Sequence, residues 1–166
     1  NMTPETSVNL EGDRMAKAVL ALQEYTGKKF DVIVPIELAG ANTPAAMAAA
    51  SKLGIVTVDG DYTGRAIPEI VQITFNYNGH CLTPIASVDE WDNECIIKRA
   101  NNPRTVEHIG KLISVAGYGL AGQAGMALDG KNTRDTVIAG TLSECYEAGK
   151  CMREAKEAGK DVVTEL

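Results

Sequence analysis

The sequence is poor in aromatic residues, cysteine and histidine, and it carries no excess of positive charge. Its 16 basic and 22 acidic residues give a net charge of −6, so the electrostatic attraction that binds a nucleic-acid backbone is missing. No stretch approaches the ~20 consecutive apolar residues that a membrane-spanning helix needs, and the first residues do not form a basic-then-apolar export signal. We therefore expect a cytoplasmic protein that binds neither nucleic acid nor a membrane.

The four cysteines form no Cys-x-x-Cys pair, and only two histidines accompany them. Because a structural zinc ion takes four such ligands at short spacings, we expect no zinc site. Cys145 and Cys151 lie on one predicted helix at a spacing that places them on different faces. We expect reduced and mostly buried thiols.

The first half of the chain has the hydrophobic pattern of a strand–helix–strand unit. Apolar residues at helical spacing predict a leading helix over residues 11–25. In residues 30–36 and 55–58, apolar side chains occupy both odd and even positions, and so both faces of a strand. This is typical of strands buried on both faces of a parallel sheet. Between them, Thr43 as the N-cap begins a helix over residues 43–53. A crossover of this kind joins parallel strands.

The second half of the chain has shorter elements separated by Asn-Gly and Asp-Asn turns, which is typical of antiparallel pairing. Three short strands are predicted there, over residues 71–75, 82–88 and 94–98. A helix follows over residues 103–116, and a last helix begins near Thr141. The expected N-cap residues of this last helix are Thr141 and Ser143.

Together these elements predict an α/β fold. We expect a Rossmann-like three-layer domain with a mixed sheet, in which the parallel strands come first and the antiparallel additions follow. Residues 1–10 are predicted to be a disordered or extended lead, and residues 11–166 to form a single α/β domain.

Carboxylates follow both predicted parallel strands. Glu37 ends the first strand, and Asp59 and Asp61 follow the second, at the edge where open α/β sheets bind ligands. Two carboxylates held close together raise the pKa of one of them, which then suits a general base. In the alternative interpretation, Asp59 and Asp61 form a turn around Gly60, and Glu37 caps a helix or pairs with Arg65.

The polar segment after the second strand contains Arg65, whose guanidinium suits a carboxylate or an oxyanion. An ion pair between Arg65 and Glu69 explains the same spacing equally well. The predicted catalytic residues are therefore Asp59, Asp61 and Glu37. The predicted substrate-binding residues at the same edge are Gly40, Asn42, Thr43, Gly64, Arg65 and Glu69. A divalent cation bridging the three carboxylates is compatible with this set, and the cofactor is left open.

Residues 117–122 spell the Gly-x-Gly-x-x-Gly pattern of dinucleotide-binding proteins. That pattern requires a strand before the glycines and a helix after them, whereas residues 104–116 have helical periodicity. We therefore do not expect NAD or flavin binding.

Residues 36–43 (IELAGANT) and 58–69 (VDGDYTGRAIPE) resemble the S-methyl-thiohydantoin desulfurase family, which is linked to hydantoin utilisation and to the hydantoinase/oxoprolinase group. Residues 139–143, 147–149 and 153–161 are similar to the same family. Its members are longer, with a Gly-rich N-terminal segment and a C-terminal β-rich domain. The resemblance therefore implies that this chain corresponds to part of a longer protein.

The resemblance implies a hydrolase of hydantoin-like rings. We hypothesise that water attacks the ring carbon that bears sulfur, with Asp59 or Asp61 as the base and a thiol as the leaving group. Arg65 and Asn42 would hold the polar edge of this small-molecule substrate. The alternatives are a non-catalytic small-ligand-binding domain and a nucleotide-dependent enzyme. The exposed sheet edges expected of part of a larger fold favour a homo-oligomer.

Overall fold

The computed structural model of the chain describes residues 14–166. Its helices are α1 (Arg14–Thr26), α2 (Asn42–Leu53), α3 (Thr74–Tyr77), α4 (Pro103–Ala116), α5 (Gly130–Thr136), α6 (Thr141–Glu157) and α7 (Val162–Glu165), with a 3₁₀ turn at Ile70–Gln72. Its strands are β1 (Val32–Ile33), β2 (Val56–Thr57), β3 (Gly60–Asp61), β4 (Ile85–Asp89), β5 (Glu94–Ile97), β6 (Ala121–Gly125) and β7 (Ile138–Ala139). The predicted lead over residues 1–10 lies outside the described residues.

The strands of the described part form three small sheets. β1 pairs with β2 in parallel, β3 pairs with β7 antiparallel, and β4 lies between β5 and β6 in an antiparallel sheet. The prediction of a mixed α/β fold, with a parallel pair first and antiparallel strands after it, is confirmed. The Rossmann-like three-layer arrangement is not confirmed, because these strands do not join into one sheet.

The parallel pair is shorter and less buried than predicted. Only two residue pairs are in register, Val32 with Val56 and Ile33 with Thr57. Val32 is 42% exposed and Val56 is 65% exposed, so the predicted burial of both faces is wrong. Pro35 has no N–H to donate, which explains why the first strand ends before it.

The predicted strand over residues 71–75 is wrong. The chain forms the 3₁₀ turn there and then the single helical turn α3. Ile73 and Phe75 are completely buried and lie two positions apart, which is the spacing of buried residues in a strand and explains the wrong prediction. Two side-chain and backbone contacts hold the turn instead: Thr74 N–H donates to the Tyr62 carbonyl (2.9 Å), and Asn76 Nδ2 donates to the Ile70 carbonyl (2.7 Å).

The antiparallel sheet is the centre of the fold. All five residues of β4 are buried, and α1 packs against β4 and β6. Gly122 permits this contact, because a Cβ at that position would lie 2.5 Å from the carbonyl oxygen of Arg14. The leading helix, whose described part is α1, is thus confirmed as an amphipathic element that covers the sheet.

A larger apolar cluster joins residues from several parts of the chain. Its buried members are Tyr62, Ile73, Phe75, Leu82, Ile85, Ile97 and Val106. Each large apolar side chain buried in this way contributes about 1.5 to 3 kcal/mol to folding. α4 supplies Val106 and begins as predicted, since Asn102 Oδ1 accepts the backbone N–H of Thr105 at 2.9 Å.

Gly117 and Gly119 follow α4 and precede β6, which contains Gly122, so a helix stands before the first glycines and a strand after them. This is the reverse of the dinucleotide-binding order. The four cysteines are free thiols, as predicted, but three are exposed and Cys151 is half-buried, so the prediction of mostly buried thiols is wrong. Within residues 14–166, no helix is long and apolar enough to cross a membrane.

Candidate functional site

Glu37 follows β1 and lies buried with its carboxylate between two segments. Its Oε1 accepts a hydrogen bond from Asn42 Nδ2 at 2.5 Å, and its Oε2 accepts the backbone N–H of Ile67 at 2.6 Å. The alternative pairing with Arg65 is wrong, because the contact from that loop is the Ile67 amide. Glu37 therefore connects the first residue of α2 to the loop that follows β3.

Thr43 does not cap α2 as predicted. The N-cap residue is Ala41, which provides no side-chain hydrogen bond, and Thr43 lies inside the first turn. Its Oγ1 donates to the Glu37 carbonyl (2.9 Å) and accepts the Ala39 N–H (3.0 Å). Thr43 thus holds the loop between β1 and α2, in which Gly40 is exposed.

Asp61 lies in β3 and is completely buried. Its carboxylate accepts the backbone N–H groups of Thr63 (3.0 Å) and Gly64 (2.9 Å). It also accepts the hydroxyls of Thr63 (2.7 Å) and Thr141 (2.8 Å). The turn interpretation is correct in part, since Asp61 organises the turn after it, where Gly64 adopts a φ of 66°. Gly60 itself belongs to β3.

Asp59 is exposed and binds the beginning of α6. It accepts the backbone N–H of Ser143 at 3.0 Å and its hydroxyl at 2.7 Å. These two hydrogen bonds, with the Ser143 hydroxyl first, hold the pKa of Asp59 below its usual value of 3.8. The expected rise in pKa from a neighbouring carboxylate is therefore not found at Asp59, because helix N-terminal donors stabilise its charged form.

The predicted N-cap role of Thr141 and Ser143 is wrong. Gly140 is the N-cap of α6, with a φ of 86° that suits glycine. The two hydroxyls donate instead to Asp61 and Asp59 across the chain. Asp59 therefore caps α6 from outside the helix, through the Ser143 N–H, and Asp61 binds the Thr141 side chain; sequence spacing could not reveal either contact.

The loop after β3 separates the remaining predicted residues. Arg65 is exposed, and among the described residues its guanidinium has no hydrogen-bond or ion-pair partner. Glu69 lies 3.8 Å from the guanidinium of Arg104, so the predicted Arg65–Glu69 ion pair is wrong. Residues 63–69 thus place a free cation at the surface near the turn that Asp61 holds.

A cavity of about 310 Å³ lies between α1, α2, β1 and the β6 edge of the antiparallel sheet. Of the predicted site residues, Asn42 is the one that lines it. Its wall is mostly apolar and consists of Met15, Val19, Ile33, Val34, Pro35, Ile36, Ala46, Ala49, Ile70, Ile85, Ala121, Gly125 and Met126, with Asn42, Ser114 and Gln123 as polar members.

Two polar residues on the far wall of the cavity were missed from sequence. Gln123 Nε2 donates to the Gly110 carbonyl (3.1 Å) and lies 3.4 Å from Ser87 Oγ, and Ser114 Oγ donates to the same carbonyl (3.1 Å). The only signal for Gln123 is a long polar side chain in a strand of small residues, Ala-Gly-Gln-Ala-Gly. Its position depends on tertiary contacts, with Gly110 in the preceding helix α4 and with Ser87 in β4.

The three predicted catalytic carboxylates have different partners. Glu37 binds Asn42 and Ile67, whereas Asp59 and Asp61 bind the start of α6. Within residues 14–166, no three His, Cys, Asp or Glu side chains converge as metal ligands. Binding of a divalent cation or another cofactor stays a prediction.

The fold is thus a mixed α/β protein with a largely apolar cavity beside a buried carboxylate. A family model described as S-Me-THD-like, N-terminal domain, matches residues 3–99, and one described as S-Me-THD-like, C-terminal domain, matches residues 100–166. The chain therefore belongs to the S-methyl-thiohydantoin desulfurase-like family, as its sequence resemblance predicted.

The crystal structure of a protein from Chromobacterium violaceum is similar to 87% of this chain, with a TM-score of 0.79 and 25% sequence identity. The chain covers 42% of that protein and so spans less than half of its length. No curated protein matches the chain.

Proposed function

We propose that this protein takes part in hydrolysis at a hydantoin-like ring, releasing a thiol from an S-methyl-thiohydantoin. Family membership supports the substrate class. The cavity that Asn42 lines is the observation that carries the proposal, because about 310 Å³ with mostly apolar walls and a few polar groups suits a small ring.

The reaction balances without a redox partner. Water adds its oxygen to the ring carbon that bears the S-methyl group, and a base accepts one water proton. The carbon–sulfur bond then breaks, and methanethiolate leaves and takes up a proton as methanethiol. The second water proton ends on the ring nitrogen that was doubly bonded to that carbon, so the ring gains a carbonyl and an N–H and becomes a hydantoin.

We propose Glu37 as the base and Asn42 as the residue that binds the polar edge of the ring. Glu37 is buried, and its hydrogen bond with Asn42 connects it to the cavity wall. Asp59 and Asp61 do not line the cavity, and their hydroxyl donors belong to the start of α6, which does not line it either. Arg65, which has no described partner, is the proposed contact for an anionic group at the surface.

Methanethiol release from a 5-substituted S-methyl-thiohydantoin, followed with a thiol reagent, tests this function. Ala49 lines the cavity, whereas its neighbour Ala48 is exposed on the same helix. We expect release by the wild type and by Ala48→Leu, and loss of release in Ala49→Leu, because the leucine fills the cavity. Equal release by both variants would place the chemistry elsewhere.

The second candidate is a non-catalytic ligand-binding domain, and the extensive hydrogen bonding of the three carboxylates favours it. Such a domain gives a ring-dependent rise in melting temperature without thiol release. A nucleotide-dependent enzyme instead gives that rise with ATP or NAD. A cytoplasmic location, self-association and activity of this chain as part of a longer protein stay predictions.

A further inference from the structure

We infer that the wall formed by Ser114 and Gln123, both of which are held by the Gly110 carbonyl, recognises the N–H edge of an uncharged ring, so that the cavity selects the closed ring over its ring-opened acid. The choice of ring rests on the proposed function. The selection itself rests on the polar groups and charges of the wall.

The side-chain amide of Gln123 is held in one orientation. Its Nε2 donates to the Gly110 carbonyl at 3.1 Å, and the amide lies flat over Gly110. A Cβ at position 110 would lie 3.0 Å from Nε2 and 3.1 Å from Oε1, so a glycine makes room for the amide. Among the described residues, nothing donates to Gln123 Oε1, which leaves this acceptor for a ligand.

The other polar groups of the cavity present acceptors as well. Ser114 Oγ uses its proton on the Gly110 carbonyl, so its lone pairs are left for a ligand. Asn42 uses Nδ2 on Glu37, and no described residue donates to its Oδ1. A closed hydantoin-type ring offers N–H donors to such acceptors: one when C2 carries an S-methyl group and two when C2 is a carbonyl.

The cavity has no positive charge for an acid. None of its lining residues among those described is Lys, Arg or His, and the carboxylate of Glu37 lies directly behind Asn42. Hydrolytic opening of the ring creates a carboxylate, which would then be buried without a partner and beside another negative charge. Burial of an unpaired carboxylate is strongly unfavourable, so the open form is excluded.

Isothermal titration calorimetry with 5-benzylhydantoin and N-carbamoylphenylalanine tests the selection, since the two ligands share one side chain. We expect the ring to bind at least about tenfold more tightly than the acid. Gln123→Ala should weaken ring binding about fivefold, the effect of one lost neutral hydrogen bond, whereas exposed Gln72→Ala should not.

Gly110→Ala provides a second variant that keeps the fold. Alanine favours the helix, but its Cβ would lie 3.0 Å from Gln123 Nε2 and 3.1 Å from Oε1, so the amide must shift and ring binding should weaken, by less than in Gln123→Ala. Equal binding of ring and acid, no binding of the ring, or wild-type ring affinity in both variants would overturn the inference. Selective binding of the ring without thiol release would support this inference and refute the proposed hydrolysis.

Discussion

Carboxylates lie near the ends of short strands at two corners of the molecule, and the two corners use them differently. At the first corner, Glu37 binds the backbone N–H of Ile67 and the side chain of Asn42, which lines the cavity. At the second corner, Asp59 and Asp61 bind the hydroxyls at the start of α6. The position of a carboxylate at a strand end therefore does not decide its role, whereas its partners do.

The second corner is a connection between distant parts of the chain. β3 pairs with β7 next to it, and a Cβ at Gly60 would lie 2.6 Å from the Ile138 carbonyl oxygen. The aspartates on either side of Gly60 then fix α6 to this pair. The first corner also holds a helix start, that of α2, but its hydrogen bond to Asn42 leads to a cavity.

Removal of the Asp61 carboxylate should have the largest effect on stability. Asp61→Ala leaves the buried Thr141 hydroxyl and the N–H groups of Thr63 and Gly64 without this acceptor. We expect the free energy of unfolding to fall by about 3 kcal/mol, measured by urea denaturation. Asp129→Ala, which removes an exposed cap of α5, is the control and should cost less. A smaller loss at Asp61 than at Asp129 would refute the anchoring role.

A substitution at the first corner should change ligand affinity more than it changes the free energy of unfolding. Asn42→Ala removes the exposed side chain that joins Glu37 to the cavity wall. We expect about a fivefold loss of affinity for 5-benzylhydantoin, measured by calorimetry, since one neutral hydrogen bond is lost. Asn101→Ala, at another exposed asparagine, is the matched control. Unchanged ring affinity in Asn42→Ala would show that Asn42 does not contact the ligand.

The smallest effect should be the pH dependence from Asp59. Because the Ser143 hydroxyl and N–H lower its folded-state pKa below 3.8, Asp59 stabilises the fold above pH 3.8. This contribution is lost as the pH falls through the lowered pKa. Denaturation of the wild type and Asp59→Ala from pH 7 to pH 3 should therefore show a difference that shrinks below about pH 4. A constant difference at every pH would contradict the assigned cause.

Local patterns predicted the elements that depend on local rules. The Asn102 cap of α4 and the turn at Asp92-Asn93 between β4 and β5 are set by short-range hydrogen bonds and backbone angles. The strand predicted over residues 71–75 was wrong, because the burial of Ile73 and Phe75 follows from tertiary packing. Helical and strand periods cannot be separated over five residues.

The part of the candidate site that depends on local contacts was predicted, and the part that depends on long-range contacts was not. Glu37 and Asn42 are close in sequence, so their proximity follows from one loop and one helix start. Gln123 reaches the cavity only because β6 pairs with β4 beside α4, a set of long-range contacts. The binding of Thr141 and Ser143 to the two aspartates is equally long-range and gave no local signal.

The most direct measurement of the central claim is single-turnover thiol release by Glu37→Gln beside Glu107→Gln. Both glutamates accept a backbone N–H of the segment 67–70, but Glu107 has no hydrogen bond to a cavity side chain. We predict that Glu37→Gln loses about a hundredfold in release, the effect of a lost general base, while it still binds the ring and Glu107→Gln releases thiol normally. Wild-type release by Glu37→Gln would contradict the account.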